Sequence, residues 1–201
     1  LFSFTLFEGL STFSNDSGGY VLLAKKWSPY FLPSVAELKT WPFHVYPLGF
    51  SWALAFTGLS KTLYLSHLFV STCMLLSIWL IGWFSCRSFG WLAGGALSLG
   101  LCWLPGNMFS SLGILSENFY LLLSLGVLGI YLSIRERENP SWAWFAILLA
   151  LLTLTILTRS IGIALAMAII MVATTDRSLG KTNRVSLVVI GLLSVALWQL
   201  W

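Results

Sequence analysis

The sequence predicts an all-α, polytopic transmembrane helical bundle, and three observations carry that prediction. Hydrophobic residues fill 58% of the 201 positions and charged residues 9%, where an ordinary soluble domain has about a quarter charged. The apolar residues fall in runs long enough to cross a bilayer, which takes about 20 residues at about 1.5 Å each. The cations between those runs gather in short loops that fit one side of a membrane. Residues 1–201 read as one membrane domain, with 8–60 as an extracytoplasmic loop carrying short interfacial helices and 62–201 as transmembrane helices, about six or seven in all. The chain opens inside an apolar run and closes inside another, so it reads as a fragment of a longer protein.

Leu1 to Phe7 reads as the end of a first helix. In the loop that follows, Tyr20, Leu23, Ala24 and Trp27 repeat at helical spacing with Lys25 and Lys26 directed away from the stripe, as in an interfacial helix. Asp16 stands where it would cap that helix. Ser34-Val-Ala-Glu37 has the spacing of a capping box and starts a second short helix, which Trp41-Pro42 ends. Trp27, Tyr30, Phe31, Trp41, Phe43, Tyr46, Phe50 and Trp52 suit the headgroup boundary.

Thr62 to Cys86 supplies one crossing, ending at Arg87. Ser88 to Ile134 would extend about 70 Å as a single helix, and Pro105-Gly106-Asn107 provides a turn, so it crosses twice. Ser141 to Thr175 would extend about 50 Å, interrupted only at Thr158-Arg159-Ser160-Ile161-Gly162, and reads as two short crossings. Val185 to Trp201 begins the last. With this count Arg87, Arg135, Arg137, Arg177, Lys181 and Arg184 all face one side. The loop, the Pro105 to Glu117 turn and the Arg159 turn then face the other.

Several features read as structural. Gly90, Gly94, Ser98 and Cys102 repeat every four residues, a spacing that lets helices approach closely. Cys73, Cys86 and Cys102 have neither CxxC spacing nor a local histidine, so they pack rather than bind zinc. His67 is a polar link between helices, and Arg135-Glu136-Arg137-Glu138 is a cytoplasmic turn. The basic residues are scattered, which excludes a nucleic-acid partner. No Gly-rich phosphate loop is present.

Four segments in order resemble the GT-C integral-membrane glycosyltransferases, most closely the protein mannosyltransferase and lipid A aminoarabinose transferase branch. Asp16-Ser-Gly-Gly-Tyr20-Val-Leu-Leu-Ala24 resembles the start of that family's first outer loop, and Tyr46-Pro-Leu-Gly-Phe50 its Tyr-Pro-Pro segment. Ser116-Glu117-Asn-Phe-Tyr120 resembles the acidic start of a later helix, and Leu157-Thr-Arg159-Ser-Ile-Gly162 the Leu-Thr-Arg-x-x-Gly turn. The resemblance covers nearly the whole chain but only the family's N-terminal membrane module. Ser17 stands where many members have a second acid, and Leu48 replaces the second proline.

The resemblance implies transfer of a sugar from a polyprenyl-phosphate donor to a hydroxyl of a protein, lipid or glycan acceptor, with inversion. The active site would lie on the extracytoplasmic side of a bacterial-type plasma membrane, or of the endoplasmic reticulum in a eukaryote. An acceptor hydroxyl must lose its proton as it attacks, so a carboxylate opposite the leaving phosphate acts as base; Asp16 is the residue implied. The departing phosphate needs a fixed cation, assigned to Arg159, with Lys25, Lys26, Lys39 and His44 as helpers. Glu117 orients the acceptor, and Tyr20 and Tyr46 line the substrate. No cofactor is implied, and a divalent metal is not signalled because Ser17 removes one carboxylate. Competing readings stay open: Asp16 as a helix cap, Glu117 and Arg159 as a structural ion pair, and the lysines as a solvated face on lipid phosphates. A multi-pass transporter or a lipid-handling flippase or ligase is the alternative for the whole chain.

Overall fold

The computed structural model describes residues 16–28, 47–137, 139–176 and 179–199. Among the described residues every regular element is helical. In chain order they are α1 (Asp16–Trp27), α2 (Leu48–Phe56), a 3₁₀ turn (Leu59–Lys61), α3 (Leu63–Phe89), α4 (Trp91–Trp103), α5 (Pro105–Leu112), α6 (Ser116–Arg135), α7 (Trp142–Thr158), α8 (Gly162–Thr175) and α9 (Lys181–Gln199). The helices α3, α6 and α9, of 27, 20 and 19 residues, are long and apolar enough to cross a membrane, and they mark the chain as a membrane protein. The apolar helices α4, α7 and α8 are shorter, at 13, 17 and 14 residues. They extend about 20, 26 and 21 Å, less than the roughly 30 Å hydrocarbon core.

Local chemistry explains most boundaries. Thr62 caps α3 by accepting the Leu65 N–H at 3.2 Å. Gly90, at φ 91°, lets α4 start directly after α3 ends, a backbone region glycine enters without steric cost. Pro105 is not in a turn, as expected, but opens α5; the chain bends one residue earlier, at Leu104, which is extended. A proline tolerates the first helical position because its missing N–H would have had no helical partner there. Asn107 closes the bend by donating from Nδ2 to the Leu101 carbonyl at 2.8 Å. The apolar stretch from Ser141 to Thr175 does divide at Arg159, into α7 and α8. The last helix begins at Lys181, four residues before the expected Val185.

The chain forms two compact units, residues 1–122 and 123–201. In the first, Phe50 of α2 is fully buried and joins aromatics from three other helices. It meets Tyr20 edge-on at 5.1 Å, stacks on Phe69 at 6.3 Å and lies 6.0 Å from Phe119. Phe50 is therefore a core residue and not a headgroup-boundary aromatic. In α1 more than one stripe is buried, since Ser17, Gly19, Tyr20, Val21, Leu23 and Ala24 all lie inside, while Trp27 is 48% exposed and meets Trp52 edge-on. The α3–α4 pairing uses two of the four expected small residues, with Gly94 against the Gly82 and Cys86 backbone and Ser98 against Gly82, whereas Gly90 has nothing within 4 Å. His67 is fully buried.

In the second unit, Val127, Tyr131 and Ile134 of α6 pack with Leu148, Leu152 and Ile156 of α7, Ala166, Ile169 and Ala173 of α8, and Leu187 and Ile190 of α9. The spacing of three and four residues along each helix makes one continuous core. Because α7 and α8 reverse at Arg159, the end of α8 returns to the end of α6, where Arg135 Nε lies 2.8 Å from Asp176 Oδ2. Arg137 stacks over Trp144 at 4.6 Å, and Arg184 Nε donates to the Leu179 carbonyl at 2.9 Å. Three of the expected same-side cations, Arg135, Arg137 and Arg184, thus share one end of this unit, with Lys181 in the first turn of α9 as the fourth; Arg177 lies outside the described residues. Arg159, a full α7 length away, sits at the opposite end.

Candidate functional site

Asp16 is the first residue of α1, exposed in a turn where negative charge is favoured. It does not cap a helix starting at Tyr20, because the helix already includes it. The residues behind it turn inward. The Ser17 hydroxyl, fully buried, accepts the Ile114 N–H at 3.0 Å. One turn on, the Tyr20 hydroxyl and the Ser116 hydroxyl are hydrogen-bonded at 3.1 Å. Ser51 holds the other side of α1 by donating to the Tyr20 carbonyl at 3.2 Å.

These contacts join segments 96 and 97 residues apart. Ser17 follows Asp16, and Ser116 precedes Glu117, which is exposed in the first turn of α6. The two expected acidic residues are therefore carried by helix starts stitched together through their immediate neighbours. The stitching also explains Ser17: at a fully buried position a hydroxyl satisfies the Ile114 N–H without the desolvation a second carboxylate would suffer. Tyr20, which the resemblance places at the substrate, braces α1 against α6. Sequence reasoning missed Ser17, Ile114 and Ser116 as parts of this arrangement, since a pair so far apart in the chain leaves no local signature.

Other expected residues lie apart. Lys25 is half-buried and Lys26 exposed in the last turn of α1, where cations suit the helix dipole. Nine and ten residues of helix hold them about 14 Å from Asp16 along the axis. His44, Tyr46 and Lys39 lie outside the described residues. Arg159, in the second unit, is half-buried in the extended residue that ends α7. Its carbonyl accepts the Gly162 N–H at 2.8 Å and its own N–H donates to the Thr155 carbonyl at 3.0 Å. Gly162 is required by space: a Cβ there would lie 2.9 Å from both the Cα and the N of Ile156.

The chain matches no family model, no curated protein and no solved structure. What its site can do must be argued from its own residues. Among the described residues no three or more His, Cys, Asp or Glu side chains cluster to hold a metal ion. The arrangement presents two exposed carboxylates at braced helix ends in one unit, and a half-buried guanidinium on a tight turn in the other.

The brace is testable by a double-mutant cycle. Tyr20→Phe and Ser116→Ala are each expected to lower stability by about 1 kcal/mol, because each removes one partner of a buried hydrogen bond. The double variant should lose less than the sum, by about 0.6 kcal/mol or more. Thermal unfolding in detergent reads this; strict additivity would mean that the two hydroxyls do not interact.

Proposed function

We propose that this chain is the membrane module of a GT-C-type glycosyltransferase that moves a sugar from a polyprenyl-phosphate to an acceptor hydroxyl outside the cytoplasm, through about six or seven membrane helices. The observation that carries the reading is the pair of buried hydrogen bonds joining the Asp16 and Glu117 helix starts, since these are two of the four segments that resemble that family. A base must be held still to act, and an exposed aspartate on a braced helix end meets that need. In the reaction, the acceptor oxygen forms the new bond to the anomeric carbon and its proton passes to the Asp16 carboxylate. The bond from that carbon to the phosphate oxygen breaks, and the phosphate leaves with the electron pair. Arg159 offsets the charge gained on the leaving phosphate, and Glu117 orients the acceptor.

The test uses the full-length protein in nanodiscs with a panel of radiolabelled polyprenyl-phosphate sugars. One donor is expected to be consumed, and Arg159→Ala should slow its transfer by an amount equivalent to about 2–4 kcal/mol, as for other preorganised charge-stabilising donors. If no lipid-linked sugar is bound or consumed, the transferase reading falls and a transporter takes its place.

A further inference from the structure

An open apolar groove of about 370 Å³ runs between α3 and α4. Trp79, Trp83 and Trp91 flank it, 63%, 46% and 76% exposed. Its bottom is nearly bare backbone, because a Cβ on Gly94 would lie 2.7 Å from both the Cys86 nitrogen and the Gly82 oxygen. The Ser98 hydroxyl in the lining donates to the Gly94 carbonyl at 2.9 Å, so its hydrogen bond is directed into the helix and not toward a guest. Next in sequence to the lining residue Cys86, the exposed Arg87 guanidinium lies 5.8 Å from the centroid of the Trp83 ring, which also lines the groove, a cation–π contact that keeps the charge beside it.

The dimensions select the occupant. Along α3 the groove runs from Leu75 to Cys86, about 17 Å at 1.5 Å per residue, close to the roughly 15 Å hydrocarbon depth of a single leaflet. A membrane-spanning helix would need a groove about twice as long, and a polyprenyl chain is far longer than one leaflet. A single acyl chain fits, and tryptophans beside a terminal arginine are the side chains that favour a headgroup boundary. We infer that this groove seats one acyl chain of an anionic phospholipid, with its phosphate against Arg87. The inference does not depend on the transferase reading.

Native mass spectrometry of the full-length protein, equilibrated with equal amounts of phosphatidylglycerol and phosphatidylcholine of matched chains, tests it. Phosphatidylglycerol should be retained about fivefold over phosphatidylcholine, the preference expected from one cation near an anionic headgroup. Arg87→Gln should remove the preference while leaving chain binding. Gly95→Phe should reduce retention of both lipids, since a Cβ at Gly95 has nothing within 4 Å and the ring can occupy the groove. Equal retention of the two lipids by the wild type, or no change in either variant, would overturn the proposal. A lipid-independent dimer lost in Gly95→Phe would assign the groove to a second copy, and displacement of phosphatidylglycerol by a polyprenyl phosphate would assign it to the donor; either result overturns it as well.

Discussion

Asp16→Asn is expected to lower sugar transfer by about 10²–10⁴-fold, the range that general-base catalysis contributes, while donor binding stays within a few-fold of wild type. Asparagine keeps the size of the side chain and removes its negative charge and its ability to take a proton. Asp16 is exposed in the first turn of α1, so the change should move thermal stability by about 0.3–1 kcal/mol, the size of a helix-dipole contribution. Label transfer and donor binding measured on the same preparation separate the two effects. Wild-type rates in Asp16→Asn would remove the base assignment, whereas a loss of donor binding equal to the loss of rate would make Asp16 a binding residue.

Gly162→Ala is the largest structural prediction. In an unobstructed helix, alanine in place of glycine gains roughly 0.5–1 kcal/mol. At Gly162 the new methyl would meet the Ile156 and Thr155 backbone at 2.9–3.0 Å, and backbone cannot rotate aside as a side chain can. The last turn of α7 must then shift against the first turn of α8, at a cost of about 1–3 kcal/mol, as for other overpacked sites. At about 2–4 °C per kcal/mol for a chain of this size, the melting temperature should fall by several degrees. Gly100→Ala is the matched control: that position lies inside α4 with nothing within 4 Å of a new Cβ, so it should be neutral or stabilising. Because Arg159 sits on the turn that must shift, Gly162→Ala should also slow transfer. An unchanged melting temperature would show that α7 and α8 do not approach as closely as the structure places them.

The breaks between helices were legible because they depend on local chemistry. The Arg159 turn is the one polar interruption in a long apolar stretch, and the Thr62 cap, the bend before Pro105 and Gly90 each act within a few residues of themselves. The expected helix over Tyr20 to Trp27 exists, within α1, but more than one stripe of it is buried. Its lysines look like the polar face of an interfacial helix, but they occupy only its last turn, and the rest is buried on nearly all sides. In a chain that is 58% hydrophobic, apolar periodicity cannot separate a face that meets protein from one that meets lipid, which is why Phe50 was expected at the boundary although it is buried.

The sequence by itself determined that this is a helical membrane protein, where most of its helices start and stop, and which charged residues stand at helix ends. Those properties follow from composition, run length and neighbours along the chain. Only the tertiary structure decided that Ser17 and Tyr20 reach Ile114 and Ser116, that Gly162 is required by the backbone of Ile156, and that α3 and α4 leave a groove ending at Arg87. Each is set by where segments far apart in the chain, or neighbouring helices, come to lie against one another, and hydropathy along the sequence holds no record of that placement.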